Sequence, residues 1–187
     1  MNRRLRTGLE VLGGIAVIAA LTLVAPEFHY ESRYRYDDVG VGEPGRLREY
    51  DATVTASRLV RSIAQYEEAI VTEHAFVVVT IEATVRTDGQ SFGNMELRTR
   101  DGRRYEPRPE WATPQLPPTQ PGFTSRGTQV YEVPTHRLRG AVLIIGPDEG
   151  ETTTFDAAVR VDLGLSGRES VEPGPIVLPE GITWIPA

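Results

Sequence analysis

The sequence predicts an all-β fold, one antiparallel β-sandwich domain preceded by a single N-terminal transmembrane helix. Three observations lead to it. The chain is 187 residues long and 40% hydrophobic, which suits one core of moderate size and not two. After residue 45 its apolar residues recur at every second position, the period of a strand with one buried face. Before that point the long apolar stretch stands near the start, behind a cluster of arginines.

The N-terminal element follows from charge and length. Arg3, Arg4 and Arg6 make residues 1–8 a basic, cytoplasmic start. Val11 to Ala25 (VLGGIAVIAALTLVA) is an uninterrupted apolar run of 15 residues, which as a helix spans about 23 Å against a hydrocarbon core of about 30 Å. Extension back towards Thr7 and on to Phe28 closes the gap, and residues 9–28 are read as a signal anchor. Phe28, Tyr30, Tyr34 and Tyr36 supply an aromatic girdle; basic residues before the run and Glu27, Glu31, Asp37 and Asp38 after it predict N-in, C-out. The competing reading is a cleaved signal peptide. Cleavage after Ala25 would put Leu23 at −3 and Pro26 at +1, both unfavourable, so the uncleaved anchor is preferred. In either case the rest of the chain is exported.

Residues 29–45 are rich in tyrosine and charge, lack a hydrophobic period and end in Gly40, Gly42, Pro44 and Gly45, which reads as a juxtamembrane linker. Residues 46–165 read as the sandwich. Ala52, Val54 and Ala56 alternate with Thr53, Thr55 and Ser57, and Val77, Val79, Ile81, Ala83 and Val85 face away from Thr80, Glu82, Thr84 and Arg86. Met95 and Leu97 alternate with Glu96 and Arg98, and Asp101-Gly102 offers a tight hairpin before Arg103. Gln129 to Val133, Ala141 to Ile145 and Phe155 to Leu163 complete about seven strands, with Leu59 to Glu68 open to a short helix or a strand extension. Residues 166–187 form a Pro/Gly-rich apolar tail.

Composition removes several chemistries. All 20 basic residues are arginines and there is no cysteine, so Schiff-base chemistry, a P-loop lysine, disulfides and thiolate metal sites are excluded. The net charge of −6 disfavours nucleic acid as a partner. His29, His74 and His136 have no metal-ligand spacing and no accompanying nucleophile elbow, so no catalytic residue, metal or cofactor is assigned. Asp148, Glu149 and Glu151 in GPDEGE read as a solvated turn, with a calcium loop as the alternative.

Four segments in order carry a family resemblance: HAFVVVTIEATVR (His74 to Arg86), LRTRDGRRYEP (Leu97 to Pro107), GTQVYEVP (Gly127 to Pro134) and LRGAVLIIG (Leu138 to Gly146). Together they resemble bacterial extracytoplasmic immunoglobulin-like domains of unknown function, of the membrane-tethered or lipoprotein type. The resemblance implies an immunoglobulin-like sandwich in the cell envelope and brings no catalytic residue with it.

Three features remain as candidate binding surfaces. Arg98, Arg100, Arg103 and Arg104 concentrate positive charge on one hairpin, either to meet an anionic partner or to protect an edge strand. Trp111 stands in the proline loop PRPEWATPQLPPTQPG, and Ile182 and Trp184 stand in the tail, which packs on its own sheet or adds to a partner's edge. The expected function is a non-enzymatic, membrane-anchored extracytoplasmic interaction or accessory domain, with an envelope protein as partner and the membrane held through residues 9–28. The alternative is an envelope-polymer or small-ligand binding domain that uses the arginine hairpin and the Trp111 loop.

Overall fold

Alternation of branched apolar residues dictates the centre of the fold. Val77, Val79, Ile81, Ala83 and Val85 are each at most 1% exposed, all on one side of a single long strand. A computed structural model of the chain describes residues 35–65, 68–87, 92, 94–108, 120–146, 157–178 and 183–186. They belong to one compact unit, Tyr34–Ala187. In chain order the strands are β1 (Arg35–Gly40), β2 (Gly45–Arg46), β3 (Tyr50–Gln65), β4 (Glu68–Val85), β5 (Asn94–Arg98), β6 (Arg104–Tyr105), β7 (Phe123–Val133), β8 (Val142–Gly146), β9 (Ala157–Asp162), β10 (Glu172–Val177) and β11 (Thr183–Pro186).

Two sheets result. The first runs β1-β9-β8-β5-β6, and the second runs β10-β3-β4-β7-β11 with β2 added on β3. Between them lies the main core, where Tyr50, Leu59, Val77, Val79, Ile81 and Tyr131 of the second sheet meet Met95, Leu97, Leu143, Ile145, Val159 and Val161 of the first. One-sided strands require such a partner layer, and the sandwich supplies it.

A second, smaller cluster sits on the opposite side of the second sheet. Phe76 and Val78 alternate with the inward residues of β4, and they pack with Val60, Ile63, Val130 and Leu178. Leu178, 2% exposed, anchors the chain after β10 through its amide, which donates to the Ala64 carbonyl at 3.0 Å.

Several expectations are corrected here. The sandwich is not purely antiparallel, because β1 pairs parallel with β9 and β10 pairs parallel with β3. Neither pair is joined by a hairpin; each edge strand arrives from far along the chain, so direction is not set by a turn. Residues 35–46 form β1 and β2, so the stretch read as a linker supplies an edge of the first sheet; of β1, Val39 packs against the core. The tail likewise belongs to the sandwich through β10 and β11. Prolines 173 and 175 are tolerated because β10 is an edge strand, where missing N–H groups cost no ladder bond. Leu59 to Gln65 continue as strand, not helix, and eleven strands stand among the described residues where about seven were expected.

Two bulges explain a reversal of sidedness in β3. Val54 pairs with Ile81 and Ala56 with Thr80, leaving Thr55 unpaired, so Ala56 turns outward and Leu59 takes an inward place at 6% exposure. At the second, Arg61 opposes Thr72 to Ala75, and its guanidinium donates to the carbonyls of Glu73 and His74 at 2.6 and 2.8 Å.

Residues 1–8, the expected span 9–28 and the residues up to 34 lie outside the described residues, as do Trp111, Asp148, Glu149, Glu151 and Ile182. Among the described residues no helix is long and apolar enough to cross a membrane.

Candidate functional site

At one end of the first sheet three loops converge, each shaped by a glycine that takes the left-handed conformation. The first joins β5 to β6. The Thr99 amide donates to the Arg103 carbonyl at 3.0 Å and the Gly102 amide to the Thr99 carbonyl at 2.9 Å, with Gly102 at φ 78°. That is a three-residue loop, Arg100-Asp101-Gly102, in which Gly102 alone supplies the positive φ expected of the dipeptide. Its first residue, Arg100, is thereby presented outward.

The second loop precedes β8. Leu138, 3% exposed, pins it to the core, and Gly140 at φ 66° turns the chain after Arg139. The third loop follows β9. The Gly140 amide donates to the Leu165 carbonyl at 2.7 Å, which fastens the second and third loops together. Gly167, at φ 79°, lies so close that a Cβ there would stand 3.1 Å from Cβ of Arg139. The first and second loops are joined by the ion pair of Arg137 with Asp101 at 3.0 Å.

Between the loops is an open cleft of about 710 Å³, lined by Arg100, Arg139, Gly140, Leu165, Ser166 and Arg168. The three arginines are exposed, and none of them is ion-paired among the described residues. Uncompensated cations brought together this way raise the local potential for anions on a chain of net charge −6. A guanidinium presents a planar fork of donors that matches the oxygens of phosphate or carboxylate.

Glu169 closes the third loop on itself. Its carboxylate accepts from the Ser166 amide at 2.5 Å, the Ser166 hydroxyl at 2.6 Å and the Gly167 amide at 2.9 Å. The Ser166 hydroxyl, first, and then the backbone amides hold the Glu169 carboxyl down to about 2, from an ordinary 4.5. The folded value is the lower one, so the turn's contribution is complete above about 4.5 and is lost as pH falls through about 2. Amide exchange at Ser166 and Gly167 is therefore expected to stay protected at pH 4 and to rise steeply only near pH 2; a rise already complete at pH 4 would contradict this binding mode.

The sequence-predicted arginines separate. Arg98 pairs with Glu96 on the outward side of the first sheet, and its Nη1 donates to the Tyr36 hydroxyl at 3.3 Å. Arg104 shares the same carboxylate at 3.9 Å. Arg160, paired with Asp38, lies 4.9 Å from the centroid of the Tyr36 ring. Arg98, Arg104 and Arg160 thus lace β1, β5, β6 and β9 together on the solvent side, the protective role for charge on a sheet face. Arg100 alone of the four lines the cleft, while Arg103 is exposed beside it. Arg139 and Arg168 were not anticipated; an arginine flanking a turn glycine, as in Arg139-Gly140 and Gly167-Arg168, is the signal that would have found them. Trp184 is placed on β11, which pairs with β7 as Trp184 opposite Ser125.

Magnitudes limit what the cleft holds. An exposed guanidinium–anion pair is worth about 0.2–1 kcal/mol, so three amount to about 3 kcal/mol at most, below the roughly 4 kcal/mol of millimolar affinity. Useful affinity demands a ligand that engages all three at once and brings more charge than they meet singly.

No family model and no curated protein matches the chain. Among solved structures it is similar to an uncharacterized β-sandwich protein from Clostridium difficile 630, with 10% identity and a TM-score of 0.41 over 72% of this chain and 98% of that one.

Proposed function

We propose that the chain is a non-enzymatic accessory domain of the cell envelope, anchored in the membrane through residues 9–28 with its domain extracytoplasmic, that binds an anionic envelope component through the arginine cleft. The observation that carries this reading is the convergence of Arg100, Arg139 and Arg168, unpaired among the described residues, from three loops onto one cleft. The anchor rests on the basic start and apolar run of the N-terminal sequence. The immunoglobulin-like assignment is supported by the order β9-β8-β5-β6, which matches strands G, F, C and C′ of that architecture, and by the β4/β7 pair in the place of B and E.

The test uses the full-length chain. In neutral detergent, detergent-insoluble cell-envelope fragments are expected to retain it at low ionic strength and release it as salt rises, and the variant Arg100→Gln, Arg139→Gln, Arg168→Gln is expected to stay in the detergent-soluble fraction. External protease added to intact cells is expected to cleave the domain while the basic N-terminus survives. Retention indifferent to both salt and the triple variant, or a domain shielded from external protease, would refute the proposal.

An envelope protein as partner is the second reading, favoured by one observation. At the far end of the β3-β4 hairpin Val71 and Val177 stand on the same face of the sheet, 73% and 74% exposed. Exposed valines of this kind are contact material for a protein surface.

A further inference from the structure

We infer that the cleft takes a linear polyanion bearing a negative charge on each repeat, such as a phosphodiester-linked polyol, in preference to an isolated anion. The inference rests on the anion-binding reading above and names the ligand class for the same site.

Two observations favour a polymer. The backbone donors that would cradle a single phosphate or carboxylate are already engaged, since the amides of Ser166 and Gly167 and the Ser166 hydroxyl all donate to Glu169. A small anion therefore finds guanidinium heads and no built seat. Second, the cleft is open and about 710 Å³ in volume, with its arginines exposed on separate loops, so each pairs weakly with one charge and a chain of charges gains by meeting several at once.

The test measures binding of the full-length chain in neutral detergent to long-chain inorganic polyphosphate, to orthophosphate at equal phosphate concentration, and to vesicles of phosphatidylglycerol. Polyphosphate is expected to bind with a slope of log K against log salt near −2, from about 0.7 per contact over three contacts. The triple glutamine variant at Arg100, Arg139 and Arg168 is expected to bind at least tenfold more weakly, with an unchanged unfolding midpoint. Arg126→Gln, which removes a partner of Glu82 on the second sheet, is expected to bind as the wild type does. Glu169→Gln is expected to bind several-fold more tightly, because it removes the one carboxylate built into the third loop. Orthophosphate saturating in the same range, with loss in the triple variant, would overturn the polymer and leave the anion site standing. Tighter, cleft-dependent binding to phosphatidylglycerol vesicles would overturn it in favour of headgroups, and no binding of any anion would sink both readings together.

Discussion

Replacing Tyr50 by alanine is expected to remove about 3–5 kcal/mol of stability, the range for deleting a large buried aromatic. Tyr50 is 2% exposed and meets Phe92 edge-on, with ring centroids 4.9 Å apart. Its hydroxyl crosses from the second sheet to the first and donates to the Ile145 carbonyl at 3.0 Å, with the Ala157 carbonyl at 3.4 Å as an alternative acceptor. Tyr50→Phe keeps the packing and loses the bond, so its cost is expected near 1 kcal/mol. Guanidinium unfolding of both variants separates the two contributions. Equal losses would mean that the hydroxyl, not the ring, ties the sheets together.

Gly45→Ala is the second large effect, and its sign comes from overpacking. A Cβ at Gly45 would lie 2.3 and 2.6 Å from the two methyl carbons of Val159, the point where β2 presses on β9. Overpacking of this kind costs about 1–3 kcal/mol. Val159→Ala alone also destabilises, because it empties core volume, yet the double variant is expected to recover part of the loss, with a coupling of about 0.5–3 kcal/mol between the two sites. Strict additivity in the double-mutant cycle would show that the strand shifts instead of straining.

Gly45 also illustrates what the sequence made legible. Strands with one buried face announced themselves: the inward series on β4 and the residues Val159, Val161 and Leu163 are buried as their alternation requires. Gly45, by contrast, looked like the end of a linker, because a close approach between sheets leaves no trace beyond the absent side chain. β1 escaped for a related reason. An edge strand that buries little, RYDDVG, has no alternation to read, and a parallel partner 122 residues away leaves no turn signal. Thr55 shows a third limit, since one unpaired residue reverses the facing of those that follow it, up to the second bulge at Arg61.

The cleft was half visible. Charge density marked the hairpin, but density does not tell which arginines are already answered: Glu96 takes Arg98 and Arg104, and Arg100 is left over. Its companions Arg139 and Arg168 join it only through tertiary convergence, and no local pattern encodes that.

The parallel edges bear on how the chain reaches its native state. Arg58 and Glu172, which brace β3 against β10, are 114 residues apart, and Asp38 and Arg160 at the other parallel edge are separated by 122. Loops of that length must close before either sheet has its border, so local hairpins form early and the seams close late. Until residues beyond 171 arrive, β3 keeps an open edge from Val60 to Ala64. The prolines of β10 then cap that edge with a strand that cannot pass the ladder onward at positions 173 and 175. Segments that read as appendages therefore decide when the domain stops being able to pair with its neighbours.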